Sequence, residues 1–129
     1  MSVHYVLDIE NRVVLTIFKG VVTLRDAVEE CTRLQQDPAF DPGFSELVDF
    51  SAASDVQMRY TDFRSLLEID PFACNSKRAF VIASHDAVYG TARMYQIMRG
   101  NHPWVKLFAT IEEAVLWLTS PGLHGVDGP

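Results

Sequence analysis

The chain has 129 residues, of which 48% are hydrophobic and 22% are charged, as expected for one globular domain with its own core. Its formal net charge of −6 and its lack of any Lys/Arg cluster argue against nucleic acid as a partner. It has no apolar run near the roughly 20 residues that cross a bilayer and no secretory signal pattern at its N-terminus, which predicts a cytoplasmic protein with two free thiols, Cys31 and Cys74.

The first third of the chain predicts a hairpin followed by a helix. Residues 3–8 alternate in hydrophobicity as a half-buried strand does, and residues 12–20 form a second strand rich in β-branched and aromatic residues. The short connection between them predicts an antiparallel pair. Thr23 and Asp26 then form a capping-box pattern, and an apolar stripe at helical spacing continues until Pro38 ends the helix.

The rest of the chain predicts three further pairs of a strand and a helix. The predicted strands are 45–50, 78–84 and 104–109, and the predicted helices are 61–70, 84–100 and 110–118. The order ββαβαβαβα calls for crossover helices and therefore for an α/β fold with a mostly parallel, mixed five-stranded sheet. The N-terminal hairpin supplies the antiparallel neighbour. Residues 1–119 are expected to form this single domain, and the Gly/Pro-rich residues 120–129 a flexible tail.

Four phrases of the sequence carry a resemblance to a known family. They are "LVDFS" (47–51), "RAFVIAS" (78–84), "YGTARMY" (89–95) and "VKLFATIEEAVLWL" (105–118). Together they resemble the SpoIIAA-like family, the STAS-type fold of anti-sigma-factor antagonists, over about residues 3–118. The resemblance implies the fold and a binding or regulatory role.

One motif of the regulators is missing. In them, the resemblance would imply an Asp-Ser-Ser-Gly-like motif that opens the helix after the "LVDFS"-type strand and contains a phosphorylatable serine. Residues 56–64 instead read "VQMRYTDFR", with no Asp-Ser pair and no glycine. The phosphorylation switch is therefore not transferred to any residue, including Ser51 and Ser54.

The carboxyl ends of the strands are the expected place for a ligand in an open α/β sheet. Asp49 and Ser51 end one predicted strand, and His85 follows the next one. A hydrolase would use His85 as a base oriented by Asp49, with Ser51 or Ser84 as the nucleophile. Helix capping by Ser84 or Asp86 explains the same residue types, and no Gly-x-Ser-x-Gly elbow is present, so capping is the favoured interpretation.

The helix that follows contains a glycine and an arginine one turn apart. Gly90 costs about 1 kcal/mol relative to alanine inside a helix, so something should offset it. With Tyr89 and Arg93 it suggests an anion site, for a carboxylate or a phosphate, near the start of the helix. The alternative is that Gly90 packs against a strand or a second subunit while Arg93 pairs with a surface acid, which is the more common use of such residues.

Two predicted loops carry apolar side chains. Met58 and Tyr60 lie in the loop 51–60, and Phe72 follows the next helix. These side chains either line a small-molecule or lipid cavity or fold back as lids on the core. The histidines have no ligand spacing, so no metal is expected, and no cofactor-binding glycine loop is present.

The sequence therefore favours a non-enzymatic, cytoplasmic binding or regulatory domain. Its partner would be a protein or a small anionic or lipidic ligand, and a homodimer is expected because two-fold dimers are the commonest assembly. The alternatives are a small-molecule hydrolase and a structural dimerisation module. The predicted ligand-binding residues are Asp49, Ser51, His85, Tyr89, Gly90 and Arg93.

Overall fold

The computed structural model describes residues 3–82, Gly90, Arg93 and residues 104–120. The elements in these ranges are β1 (Val3–Asp8), β2 (Val13–Thr23), α1 (Leu24–Gln36), β3 (Ser45–Gln57), α2 (Tyr60–Ile69), β4 (Arg78–Val81), β5 (Val105–Phe108) and α3 (Ile111–Leu118). The helix predicted over 84–100 lies outside the described residues, except that Gly90 and Arg93 are both helical.

The five strands form one sheet in the order β1-β2-β3-β4-β5. β1 is antiparallel to β2, and the other three pairings are parallel. The predicted α/β class, with an N-terminal antiparallel hairpin on a mostly parallel sheet, is therefore confirmed.

Two strands extend further than the sequence predicts. β2 does not end at Gly20. This residue adopts a φ of +66°, which glycine tolerates, at a register shift between β2 and β3, and the strand then continues to Thr23. Residues 51–57, predicted as a loop, continue β3 because they pair with the last residues of β2, from Lys19 opposite Ala52 to Thr23 opposite Gln57. The long β2–β3 pairing makes a strand of a segment that has the composition of a loop.

Side-chain alternation divides the sheet into two faces. One face, here the α1/α2 face, carries Phe18, Val48 and Phe80, which pack with Phe63 of α2 in the main core cluster. The opposite face, here the α3 face, carries Leu47, Ala79 and Val81, which pack against Ala114 of α3. All four residues of β4 are buried, as the apolar run 78–84 predicted for a strand covered on both sides.

The first turn of α1 contains the predicted capping box. The Thr23 hydroxyl accepts a hydrogen bond from the Asp26 backbone N–H, at 3.4 Å, and the Asp26 carboxylate accepts one from the Thr23 N–H, at 3.0 Å. The buried stripe of the helix consists of Ala27, Glu30, Cys31 and Leu34. The cap thus fixes where the helix begins, and the stripe places one acidic side chain, that of Glu30, among apolar ones.

Removal of this cap should weaken the fold by a measurable amount. Thr23→Ala deletes the hydroxyl that accepts the Asp26 N–H, and the expected loss is about 1 kcal/mol in the free energy of urea unfolding. The matched control is Thr32→Ala, at an exposed position of the same helix, which should leave stability within about 0.5 kcal/mol of wild type. Equal midpoints for the two variants would contradict a stabilising cap.

Candidate functional site

Five polar side chains meet in the interior, beneath the two helices of the α1/α2 face. They come from β2, α1, β3, the residue after α2, and β4, and will be called the polar cluster: Thr16, Glu30, Glu46, Asp70 and Arg78. Four of these residues are at most 6% exposed, and the side chain of Asp70 is 7% exposed. Charged residues are almost never buried to this extent unless they are paired.

The guanidinium of Arg78 lies between two carboxylates. Its Nε and Nη2 lie 2.9 and 2.8 Å from Glu46 Oε1, and its Nη1 lies 2.8 Å from Asp70 Oδ2. The same guanidinium is stacked over the Phe72 ring, with 4.3 Å from its central carbon to the ring centroid. Strand β3, strand β4 and the end of α2 are thereby joined by charge-assisted hydrogen bonds in a low-dielectric setting.

A threonine hydroxyl joins Glu46 to Glu30. Thr16 Oγ1 lies 2.7 Å from Glu46 Oε2 and 3.0 Å from Glu30 Oε2. Burial raises the pKa of Glu30 well above its ordinary value, and the charge of Glu46 and a hydrogen bond with it raise that pKa further. The Thr16 hydroxyl has one proton and can donate to only one of the two glutamates at a time, whereas the hydrogen bond between the two carboxyl groups has protonated Glu30 as its donor.

A cavity adjoins the polar cluster on the α1/α2 face. Its volume is about 80 Å³, measured as the space open to the centre of a water molecule, whereas one water needs only about 10–15 Å³ on that measure. One end of its wall is polar and the rest is apolar, with several aromatic rings. The lining residues are Phe18, Val22, Ala27, Glu30, Cys31, Glu46, Val48, Phe50, Val56, Met58, Phe63, Leu66, Asp70, Arg78 and Phe80. Apolar walls with a few converging polar groups are typical of small-molecule sites.

The cysteine in this wall is not an activated nucleophile. Burial raises the pKa of the Cys31 thiol, and the nearby acids Glu30, Glu46 and Asp70 raise it further. The thiolate is the reactive form of cysteine, so Cys31 contributes a neutral, weakly polar surface to the cavity. Cys31 and Cys74 are both free, as the sequence predicted.

Asp49 and Ser51 lie together, but on the other side of the sheet. The Asp49 carboxylate accepts hydrogen bonds from the backbone N–H and from the hydroxyl of Ser51. Both residues alternate with Val48 and Phe50, which face the cavity, so they belong to the α3 face. The two residues are hydrogen-bonded to each other, and neither belongs to the cavity wall.

The other predicted binding residues are only partly described. Gly90 and Arg93 are exposed, and a Cβ added at Gly90 would meet no described atom within 4 Å. His85 and Tyr89 lie outside the described residues. A ligand site that combines these four residues with Asp49 and Ser51 stays a prediction.

The sequence patterns did not identify Glu30, Glu46 and Arg78 as site residues. Two of them could have been identified by their position, because Glu30 lies within the apolar stripe of α1 and Arg78 is the first residue of a strand that is otherwise apolar. Met58 lines the cavity and also packs against the main core cluster, whereas Phe72 folds back into a second core cluster beneath the Arg78 guanidinium. A small-molecule or lipid site formed by such loop residues stays a prediction.

The described parts of the chain contain no candidate metal site and no candidate membrane span. No group of three or more His, Cys, Asp or Glu side chains there is arranged to hold a metal ion. Nor do those residues include a helix with the length and apolar character needed to cross a membrane.

The fold is similar to that of a protein of known structure. The chain is similar to an uncharacterized protein of the DUF3478 family with a SpoIIAA-like fold from Shewanella loihica PV-4, at 15% sequence identity and a TM-score of 0.59. The similarity covers 91% of this chain and 94% of that one. It confirms the predicted SpoIIAA-like fold. No family model and no curated protein matches the sequence.

The raised pKa of Glu30 predicts how stability depends on pH. Folding raises this pKa above its ordinary value of 4.5, so the folded protein keeps a proton that the unfolded chain loses. The stabilisation of the folded state by this retained proton is complete below pH 4.5. It is lost as pH rises towards the folded-state pKa of Glu30, and the free energy of unfolding then falls by up to about 1.4 kcal/mol per pH unit. Glu30→Gln should abolish this decline and be more stable than wild type at pH 8, as measured by urea unfolding across the pH range.

The matched control for this experiment is Glu29→Gln, which removes the same charge from the exposed neighbouring position. Its stability should fall with pH in parallel with wild type. A wild-type curve no steeper than that of Glu30→Gln above pH 5 would show that Glu30 does not retain its proton on folding.

The buried ion pairs predict a large cost for losing the guanidinium. Arg78→Met leaves the Glu46 and Asp70 carboxylates buried without this partner, and the expected loss is about 3–5 kcal/mol in unfolding free energy. Arg12→Met is the matched control, because Arg12 also lies over a phenylalanine ring and beside an aspartate, but its side chain is 57% exposed. The control should cost less than about 1 kcal/mol. Equal losses in the two variants would contradict a stabilising role of the polar cluster.

Proposed function

We propose that this protein is a non-enzymatic binding domain that holds a small, mainly apolar molecule in the cavity between the sheet and helices α1 and α2. The observation that carries the proposal is the cavity itself, apolar along most of its wall and polar at one end. A ligand that binds there would stabilise the folded protein, because whatever binds only the folded state stabilises it.

The wall favours a ligand with an apolar body. Phe18 and Phe50 are stacked with their ring centroids 5.2 Å apart, and Phe80 follows at 6.1 Å from Phe50, so the rings form a continuous apolar surface across three strands. Each methylene buried against such a surface contributes about 0.8 kcal/mol. The polar cluster at the other end would orient the ligand, as a few polar groups do in most small-molecule sites.

Binding is favoured over catalysis by the state of the polar groups in the wall. The Cys31 thiol has a raised pKa and is held in its unreactive form. The Glu30 and Glu46 carboxyl groups are joined through Thr16, and Glu46 is also paired with Arg78. These contacts orient the groups towards one another and thus favour a rigid polar wall.

Other features of the proposed role rest on the sequence. A regulatory function, a protein partner, a homodimer and a cytoplasmic location are predictions of the sequence, as is the lack of the phosphorylation switch. The predicted ligand site at the carboxyl ends of the strands is a separate proposal, since Asp49 and Ser51 lie on the α3 face. Both sites can be tested independently, because the cavity wall contains neither of these residues.

Straight-chain alcohols provide the test of the cavity. Isothermal titration calorimetry with 1-butanol, 1-hexanol and 1-octanol should give affinities that rise roughly fourfold for each added methylene until the cavity is full. Ala27→Leu places a larger side chain in the wall and should weaken the binding of 1-hexanol at least tenfold, without lowering the melting temperature of the free protein.

The matched control for the filled cavity is Thr32→Leu. It adds a similar apolar side chain at an exposed position of α1, outside the wall, and should bind 1-hexanol as the wild type does. If no alcohol binds the wild type, or if Ala27→Leu binds as tightly as Thr32→Leu, the cavity is not a ligand site.

A further inference from the structure

We propose that the ligand of this cavity is a protonated amine with an apolar body, whose ammonium group pairs with the Glu30 carboxylate. This inference rests on the proposed function and names the chemical class of its ligand. It departs from the anionic ligand that the sequence suggests, and it follows from the charges that face the cavity.

The described ionisable groups of the wall are mainly acidic. The carboxyl groups are those of Glu30 on α1, Glu46 on β3 and Asp70 after α2, whereas Arg78 on β4 is the one basic group among the described lining residues. The Arg78 guanidinium uses Nε, Nη1 and Nη2 to donate to Glu46 and Asp70. An anionic head group would have to compete with two built-in carboxylates for this guanidinium while it is repelled by the acidic wall.

Glu30 is the acid in this wall that a ligand cation can pair with. No described residue forms an ion pair with it, and the groups around it are Thr16 and Glu46 from the sheet, Cys31 on its own helix, and Asp70 and Arg78 at the far side of Glu46. Its raised pKa reflects burial and the neighbouring charge of Glu46, and an adjacent cation counteracts both effects.

Binding would therefore exchange one positive charge for another. The Glu30 carboxyl group releases its proton to water, and the carboxylate that remains accepts hydrogen bonds from the ammonium group, which keeps its own protons. The Thr16 hydroxyl stays between the two glutamates as a donor to one of them. One proton leaves the protein for each cation that enters, so the net charge of the site is unchanged.

A neutral head group gains less from the same wall. An alcohol can exchange one hydrogen bond with protonated Glu30, whereas an ammonium group forms charge-assisted hydrogen bonds, which are about twice as strong. The formal net charge of the whole chain, −6, also raises the local concentration of cations and lowers that of anions.

The test compares three ligands with the same six-carbon body: hexylammonium chloride, 1-hexanol and sodium hexanoate. Titration calorimetry at pH 7 should show that hexylammonium binds at least tenfold more tightly than 1-hexanol and that hexanoate binds most weakly. Repeating the titration in buffers of different ionisation enthalpy should show that hexylammonium releases up to one proton per molecule bound. Its affinity should rise between pH 6 and pH 8, by at most tenfold per unit, while that of 1-hexanol stays constant.

Glu30→Gln separates the charge from the shape of the site. In this variant hexylammonium should bind no more tightly than 1-hexanol and release no proton. Glu29→Gln, at the exposed neighbouring position, should behave as the wild type does with all three ligands. The pH dependence in the wild type supplies the same information without any substitution.

The outcomes distinguish this inference from the proposed function. If the wild type binds 1-hexanol or hexanoate more tightly than hexylammonium, the ligand is not an amine, although the cavity is still a binding site. An amine preference that survives Glu30→Gln would also overturn the inference, because the cation would then lie elsewhere. If none of the three ligands binds, the proposed function fails as well.

Discussion

The Arg78 guanidinium between Glu46 and Asp70 is the interaction on which the α1/α2 side of the molecule depends. It is buried, and its two carboxylate contacts of 2.8 Å join strand β3, strand β4 and the end of α2. Taking such charges out of water is costly, so the geometry must be complete for the arrangement to be stable. The polar cluster therefore fixes where α2 ends relative to the sheet, and with it one wall of the cavity.

The second carboxyl group beside this ion pair gives the site its chemical character. Glu46 is paired with Arg78, whereas Glu30 is buried next to it, where burial raises its pKa, and Thr16 lies between the two. The two glutamates are thus in contact with each other but lie in different electrostatic surroundings. The cavity wall has a neutral acid that a cation can ionise, and the aromatic surface beyond it provides for an apolar body.

The described elements and their order could be predicted from the sequence, whereas the extents of two strands and the position of the cavity could not. Capping at Thr23 and the apolar run from Arg78 are local signals, and both are confirmed. Residues 51–57 have the composition of a loop and become a strand because they pair with residues 19–23 of β2, which are distant in the sequence. Likewise, successive side chains of a strand point to opposite faces of the sheet, so Val48 faces the cavity and Asp49 faces away from it. The two residues are neighbours in the sequence, yet they lie on different faces.

The sequence by itself determined the α/β fold class and the face that α1 buries, because these depend on local periodicity and caps. The face of the last helix was not determined in this way, since Ile111 and Val115 of its apolar stripe are exposed. Only the tertiary structure decided that Glu30, Glu46, Asp70 and Arg78 meet in one cluster and that a cavity adjoins it. The physical reason is that a charged residue is tolerated in the interior only when a partner from another element reaches it. The contact among these four residues depends on how the elements pack, and no single segment of the sequence specifies it.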